Sequence, residues 1–133
     1  MPDDSELDYI RTFLGEVMTG YTIKQNSEEK QLSRINDTQR GLIYLGEIIR
    51  IDDVYYVKRY RFEISDTTEI AITTGIKNLI EGIKKYNRRI AGPTQVASMT
   101  HIEMVPRGKA DEEVGTSKRF KMELSIQITW SVG

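Results

Sequence analysis

The sequence predicts an α+β fold: a mostly antiparallel sheet of about four strands with two helices packed on one face, in the order α-β-β-α-β-β. Three observations lead there. In the closing stretch Phe120, Met122, Leu124, Ile126, Ile128, Trp130 and Val132 alternate without a break with Arg119, Lys121, Glu123, Ser125, Gln127, Thr129 and Ser131. Strand side chains alternate between faces, so this segment has one dry and one wet side, as a sheet covered on a single face requires. Two further segments carry apolar residues at helical spacing behind capping residues, and two strand-like runs flank the pair Asp52-Asp53. Burial of each large apolar side chain stabilises by roughly 1.5–3 kcal/mol, which makes the closing strand the largest expected contributor to the core.

The first helix is predicted from Glu6 to Thr19. Ser5 can cap it, acids sit at the positive end of its dipole, Leu7, Ile10, Leu14, Val17 and Met18 form its stripe, and Gly20 ends it. Tyr21-Thr22-Ile23 reads as a short strand. Between Lys24 and Arg40 only Leu32 and Ile35 are large and apolar, so that segment reads as a solvated excursion, or one ordered by a partner.

From Gly41 to Ile51 and from Val54 to Ile64 the chain reads as a β-hairpin turning at Asp52-Asp53. Gly41 to Leu45 is apolar on both faces, which predicts a cover on its outer side, a second subunit being one candidate. Asp66-Thr67-Thr68-Glu69 has the form of a capping box, followed by Ile72, Ile76, Leu79, Ile80, Ile83, Tyr86 and Ile90 at helical spacing. Lys84, Lys85, Arg88 and Arg89 crowd the negative end of that helix, and Ala91-Gly92-Pro93 is the predicted stop. Gly75 and Gly82 lie on one side of it, marking either a close approach to backbone or two tolerated glycines on a wet face. Val96 to Val105 is a further strand, interrupted at Pro106, and Arg107 to Lys118 is a charged excursion longer than a hairpin needs.

At 133 residues the chain supports one core, hence one domain over 1–133 with polar excursions at 24–40 and 106–118. No apolar run is long enough to span a membrane, and the acidic Met1-Pro2-Asp3-Asp4 lacks the character of a signal peptide, so the chain is expected to stay where it is made. The absence of cysteine removes disulfides, thiolate nucleophiles and most zinc sites, and the single histidine, His101, leaves little for a triad. A net charge of −1 argues against a protein devoted to gripping nucleic acid.

No phosphate-cradling glycine motif and no H-E-x-x-H occurs, so the chain is expected to be no enzyme and to hold no cofactor or metal. Asp52-Asp53 and Asp111-Glu112-Glu113 read as solvated turn acids, and His101 as a half-buried structural side chain. The one chemical surface is the polar sheet face, where Arg59, Arg61, Lys118, Arg119 and Lys121 can line up with Tyr55. Basic side chains with an interleaved aromatic define the alternative reading, a monomeric sheet-face module for RNA or another anionic partner held by Arg59, Arg61, Arg119 and Lys121. Glu63 and Glu123 interrupt that row, and cross-strand Arg–Glu pairing accounts for it without a ligand.

The order of elements, with Tyr60-Arg61-Phe62-Glu63-Ile64 running into the capped helix from Asp66 and the close at Arg119-Phe120-Lys121-Met122-Glu123-Leu124-Ser125-Ile126-Gln127-Ile128-Thr129-Trp130, resembles the tail terminator (tail completion) proteins of long-tailed bacteriophages and related viruses. The resemblance covers the first helix and most of the chain from Gly41 onward; the excursion from Lys24 to Arg40 is longer than the connection it leads one to expect. It implies a structural virion protein with no catalytic residue, assembled in the host cytoplasm into a homo-oligomeric ring, a hexamer, that caps the tail tube and joins it to the head and neck. Its implied partners are copies of itself, the tail tube protein and head–neck proteins, with DNA passing through the ring without specific binding and no membrane involved. Lys30, Arg34 and Arg40 in the first excursion, Leu42 and Tyr44 on the first hairpin strand, and Arg107 and Lys109 in the second excursion are the candidate partner-interface residues.

Overall fold

A computed structural model describes residues 4–25, 39–114 and 117–132, with residues 4, 5, 106–114 and 117–119 described by backbone alone. Within them the elements are α1 (Asp4–Val17), β1 (Thr22–Gln25), β2 (Arg40–Ile43), β3 (Glu47–Ile51), β4 (Tyr55–Asp66), α2 (Glu69–Arg88), β5 (Met99–Val114) and β6 (Ser117–Ser131). The class is α+β, with two helices against a mostly antiparallel sheet of six described strands rather than about four. The strand order is β1-β2-β4-β6-β5, with β3 also on β4, and among the described strands only the β1–β2 pair is parallel.

β4 and β6 form the middle of the sheet. They pair over twelve residues, from Tyr55↔Ser131 to Asp66↔Phe120. On their dry side Tyr60, Phe62, Ile64, Leu124, Ile126, Ile128 and Trp130 are buried against Leu7, Ile10, Phe13 and Leu14 of α1, Met18 just past it, and Leu79, Ile83 and Tyr86 of α2. The alternation in the closing stretch therefore sets the layer order, although Val132 lies past the strand and is half exposed. Among the described residues no helix is long and apolar enough to cross a membrane.

The predicted first hairpin strand is two strands on the same edge of β4. β2 runs from Arg40↔Ser65 to Ile43↔Phe62, and β3 from Glu47↔Arg59 to Ile51↔Tyr56. Gly46 lies in the break between them, packed so tightly on Tyr60 that a Cβ would stand 2.5 Å from its ring. Only a residue without a side chain fits over the buried aromatic at that point.

α2 starts two residues later than the capping-box pattern suggested. Thr68 is the cap, its Oγ1 accepting from the Ala71 N–H at 3.2 Å, while Asp66 is still in β4. The helix stops at Arg88 because Arg89 adopts the left-handed conformation (φ 56°) and its N–H returns to the carbonyls of Lys85 and Tyr86. Ile90 consequently lies beyond the helix and is half exposed. Gly75 and Gly82 do mark a close approach, but to side chains of the α1 region and not to backbone: a Cβ on Gly82 would stand 2.3 Å from Val17 Cγ1, and one on Gly75 2.9 Å from Tyr21 Oη.

Pro106 does not end its strand. β5 begins at Met99, after a turn in which the Met99 N–H donates to Val96 O, and continues through a bulge between Pro106 and Gly108 to Val114. β5 is the last strand of the sheet, where a missing N–H can face outward, so proline is tolerated. The excursion at 106–118 is therefore paired backbone over 106–114 and 117–118 and not a loop. Of the excursion at 24–40, Lys24 and Gln25 belong to β1 and Arg40 to β2; residues 26–38 lie outside those described.

Candidate functional site

Two polar constellations occupy the two faces of the sheet. On the open face, Glu63 of β4 stands directly across from Glu123 of β6, an unfavourable pairing of like charges by itself. Arg61 resolves it, its guanidinium 2.8 Å from Glu63 and 3.0 Å from Glu123, and Lys121 approaches Glu63 at 3.1 Å. The same guanidinium lies 3.9 Å from the ring centroid of Tyr44. Burial raises the Tyr44 hydroxyl above its ordinary value, and the hydrogen bond that Arg61 donates to Tyr44 holds the guanidinium more firmly charged.

The cations predicted to hold an anion are thus divided. Arg61 and Lys121 are engaged by carboxylates, whereas Arg59 has no ion-pair partner among the described residues and lines a shallow hollow with Tyr44, Leu45, Glu47, Arg61 and Ser125. The Arg119 side chain lies outside those described. Cross-strand pairing accounts for Arg61 and Lys121.

Of the candidate interface residues, Lys30 and Arg34 lie outside the described residues, and Arg107 and Lys109 are placed by backbone only, with Lys109 opposite Met122. Arg40 opens β2 across from Ser65, and Tyr44 is half-buried beneath Arg61. Leu42 shares the open face with Glu63 yet is only 6% exposed, so its outer side is covered within one chain. A second subunit is not needed for that.

On the dry face lies a cluster that sequence reasoning did not assemble. Glu6 of α1 is 5% exposed, and its carboxylate accepts from the hydroxyls of Tyr56 and Tyr60 (3.0 Å for the latter) and from Lys58 Nζ at 2.7 Å. Trp130 Nε1 in turn donates to the Tyr60 hydroxyl at 2.9 Å. Burial first, then the neighbouring Glu6 charge, pushes the Tyr60 hydroxyl far above its ordinary range. The available signal was Lys58, the one charge at a dry-face position between Tyr56 and Tyr60, which demands an acid from the covering helix.

A second buried acid, Asp66, accepts from Tyr21 Oη at 3.1 Å, Gln39 Nε2 at 3.3 Å and the Thr67 N–H at 2.6 Å, tying the end of β4 to the segments flanking β1 and β2. His101 is exposed rather than half-buried, its Nε2 3.3 Å from Glu103. It faces the open side because it pairs with Thr129, a wet-face residue. Among the described residues no group of three acids or histidines is placed to hold a metal. The groove between α1 and α2 is lined by Glu16, Asn78, Glu81 and Lys85, and the Glu16 carboxylate already accepts from Thr94.

Neither a protein-family model nor a curated protein matches this sequence. The site is accordingly defined by its own geometry: neutralised charge on one face, a sealed acid–tyrosine network on the other, and a paired ribbon at the end of the sheet.

Proposed function

We propose that this chain is a structural virion protein, a tail terminator that forms a ring, caps the tail tube and joins it to the head and neck. The observation that carries the reading is the ribbon. β4 pairs with β6 no further than Phe120, but β5 and β6 continue through Glu112↔Arg119 and Glu113↔Lys118 to Val114↔Ser117. A two-stranded ribbon is marginal alone, so an extension past the sheet gains little for the fold and is suited to contact a neighbour. The helix, hairpin, capped helix and closing amphipathic strand, in that order, support the same reading. A hexameric ring with contacts from residues 24–40, Arg107 and Lys109 follows from the resemblance, with the tube and neck proteins as partners and the virion tail as the location.

The alternative, an RNA-binding sheet face, has less to rest on because Arg61 and Lys121 are already bound to Glu63 and Glu123. Co-sedimentation with isolated tail tubes and negative-stain micrographs test the leading reading. Rings and tube binding are expected from the full chain, and both should vanish when Glu112 to Arg119 is replaced by Asn-Gly while the circular dichroism stays unchanged. A strict monomer that never binds tubes overturns the proposal. Steeply salt-dependent RNA binding, lost on replacing Arg59, Arg61 and Lys121 by Ala, would establish the alternative instead.

A further inference from the structure

We propose that the outer edge of β3 is a contact between two copies of this chain, which pair there antiparallel about a two-fold axis at Ile48. All five residues of β3 are exposed, and among the described residues the strand pairs with β4 alone. Ile48 and Ile51 are 55% and 70% exposed, which puts two large apolar side chains on one face of an edge that has no partner among the described residues. Such an edge is a template for another strand. Its backbone points the same way. The Asp52 N–H donates to Tyr55 O at 2.8 Å, so by antiparallel alternation the N–H and C=O of Ile51, one residue before, turn away from β4.

The choice of a second copy rests on charge. The register shifts between Ile48↔Lys58 and Arg50↔Val57, leaving Ile49 as an extra residue. Because of that bulge Glu47 and Arg50, three apart, occupy the same face of the sheet, and Ile48 and Ile51 share the other. Neither Glu47 nor Arg50 has an ion-pair partner among the described residues; Arg50 only overlies the Tyr55 ring at 5.6 Å. Rotating a second copy about Ile48 sets Ile48 against its own equivalent, Glu47 across from Arg50 of the second copy, and Arg50 across from Glu47 of the second copy. Centring on Glu47 or on Arg50 would oppose like charges, and centring on Ile51 would set Ile48 against Asp53. One register is therefore selected. An isologous contact uses each edge once and closes at two copies, so it differs in kind from the head-to-tail contact a ring requires and stands without the ring reading.

Sedimentation equilibrium at micromolar concentrations should show the full chain associating in pairs, as dimers where no ring forms and as two joined rings where one does. Arg50→Glu opposes two like-charge pairs and should weaken the dimer about tenfold, while the double variant Glu47→Arg/Arg50→Glu should restore it and thereby exclude misfolding of the single variant. The chain has no cysteine, so a single thiol reports position cleanly. Oxidation of Ile48→Cys should give covalent dimers and nothing larger, much faster than Ile70→Cys, which places a thiol on the exposed side of α2. A monomeric wild type, failure of the double variant to restore pairing, or equal cross-linking by the two thiol variants overturns the proposal.

Discussion

Glu6 is a single carboxylate that anchors the first turn of α1 to the sheet. Its three donors come from Tyr56, Lys58 and Tyr60, successive dry-face positions of β4. Removing one partner of a buried pair leaves the other uncompensated, which costs about 3–5 kcal/mol. Glu6→Ala is expected to fall in that range by urea denaturation, and Glu6→Leu combined with Lys58→Met to recover most of the loss. A deficit below about 1 kcal/mol, the size of an exposed pair, would mean that the cluster is solvated. The tyrosines carry a second consequence. Burial raises the hydroxyls of Tyr21, Tyr44, Tyr60 and Tyr86 above the ordinary value of 10.0. Above that value the unfolded chain releases these protons and the folded chain retains them, so stability is fully present below pH 10 and is lost as pH rises further. Thermal midpoints should accordingly be flat through neutral pH and fall above about pH 10, less steeply in Tyr60→Phe. None of this network was legible beyond the anomaly of Lys58, because a sequence shows that a buried charge needs a partner without showing which acid reaches it.

At the scale of elements, the periodic signals located the helices and most strands, and the errors fall where tertiary contacts outweigh local pattern. The helix stripe led to Leu7, Ile10 and Leu14 of α1, to Met18 directly after it, and to Ile72, Leu79, Ile83 and Tyr86 of α2, all of them buried. The break at Gly46 was hidden because it depends on the Tyr60 ring, fourteen residues away in sequence, and passage through Pro106 because it depends on β5 lying at an edge. Gly82 joins the two helices most directly. Alanine would gain about 1 kcal/mol of helix propensity at that position, yet its Cβ would overlap Val17 at 2.3 Å, and overpacking of this kind costs typically 1–3 kcal/mol. Gly82→Ala is therefore expected to destabilise or, at best, to be neutral, and to become stabilising once Val17→Ala opens the space. A stabilising single variant in a thermal melt would show that the two helices stand further apart than the geometry requires.

For the whole molecule, one wet and one dry side along a closing strand was enough to predict a sheet covered on a single face, since no other arrangement buries Leu124, Ile126, Ile128 and Trp130 together. Strand order was not legible, because pairing partners are far apart in the chain and β1 joins β2 in parallel across the undescribed residues 26–38. That order makes a distribution of local stability. β4 is held between β2 and β3 on one side and β6 on the other, and β6 lies between β4 and β5, so their amides open only with the core. β3 and β5 each have an outer side with no described partner, and β3 buries none of its side chains. Native-state hydrogen exchange should thus rank Phe62, Ile64, Leu124, Ile126 and Ile128 slowest, at the free energy of global unfolding. Ile48 and Ile51 should exchange orders of magnitude faster in the isolated chain and slow down as concentration rises if β3 finds its second copy. Uniform protection across β3 and β4 in dilute solution would place the edge inside the cooperative core and contradict the layout argued from burial.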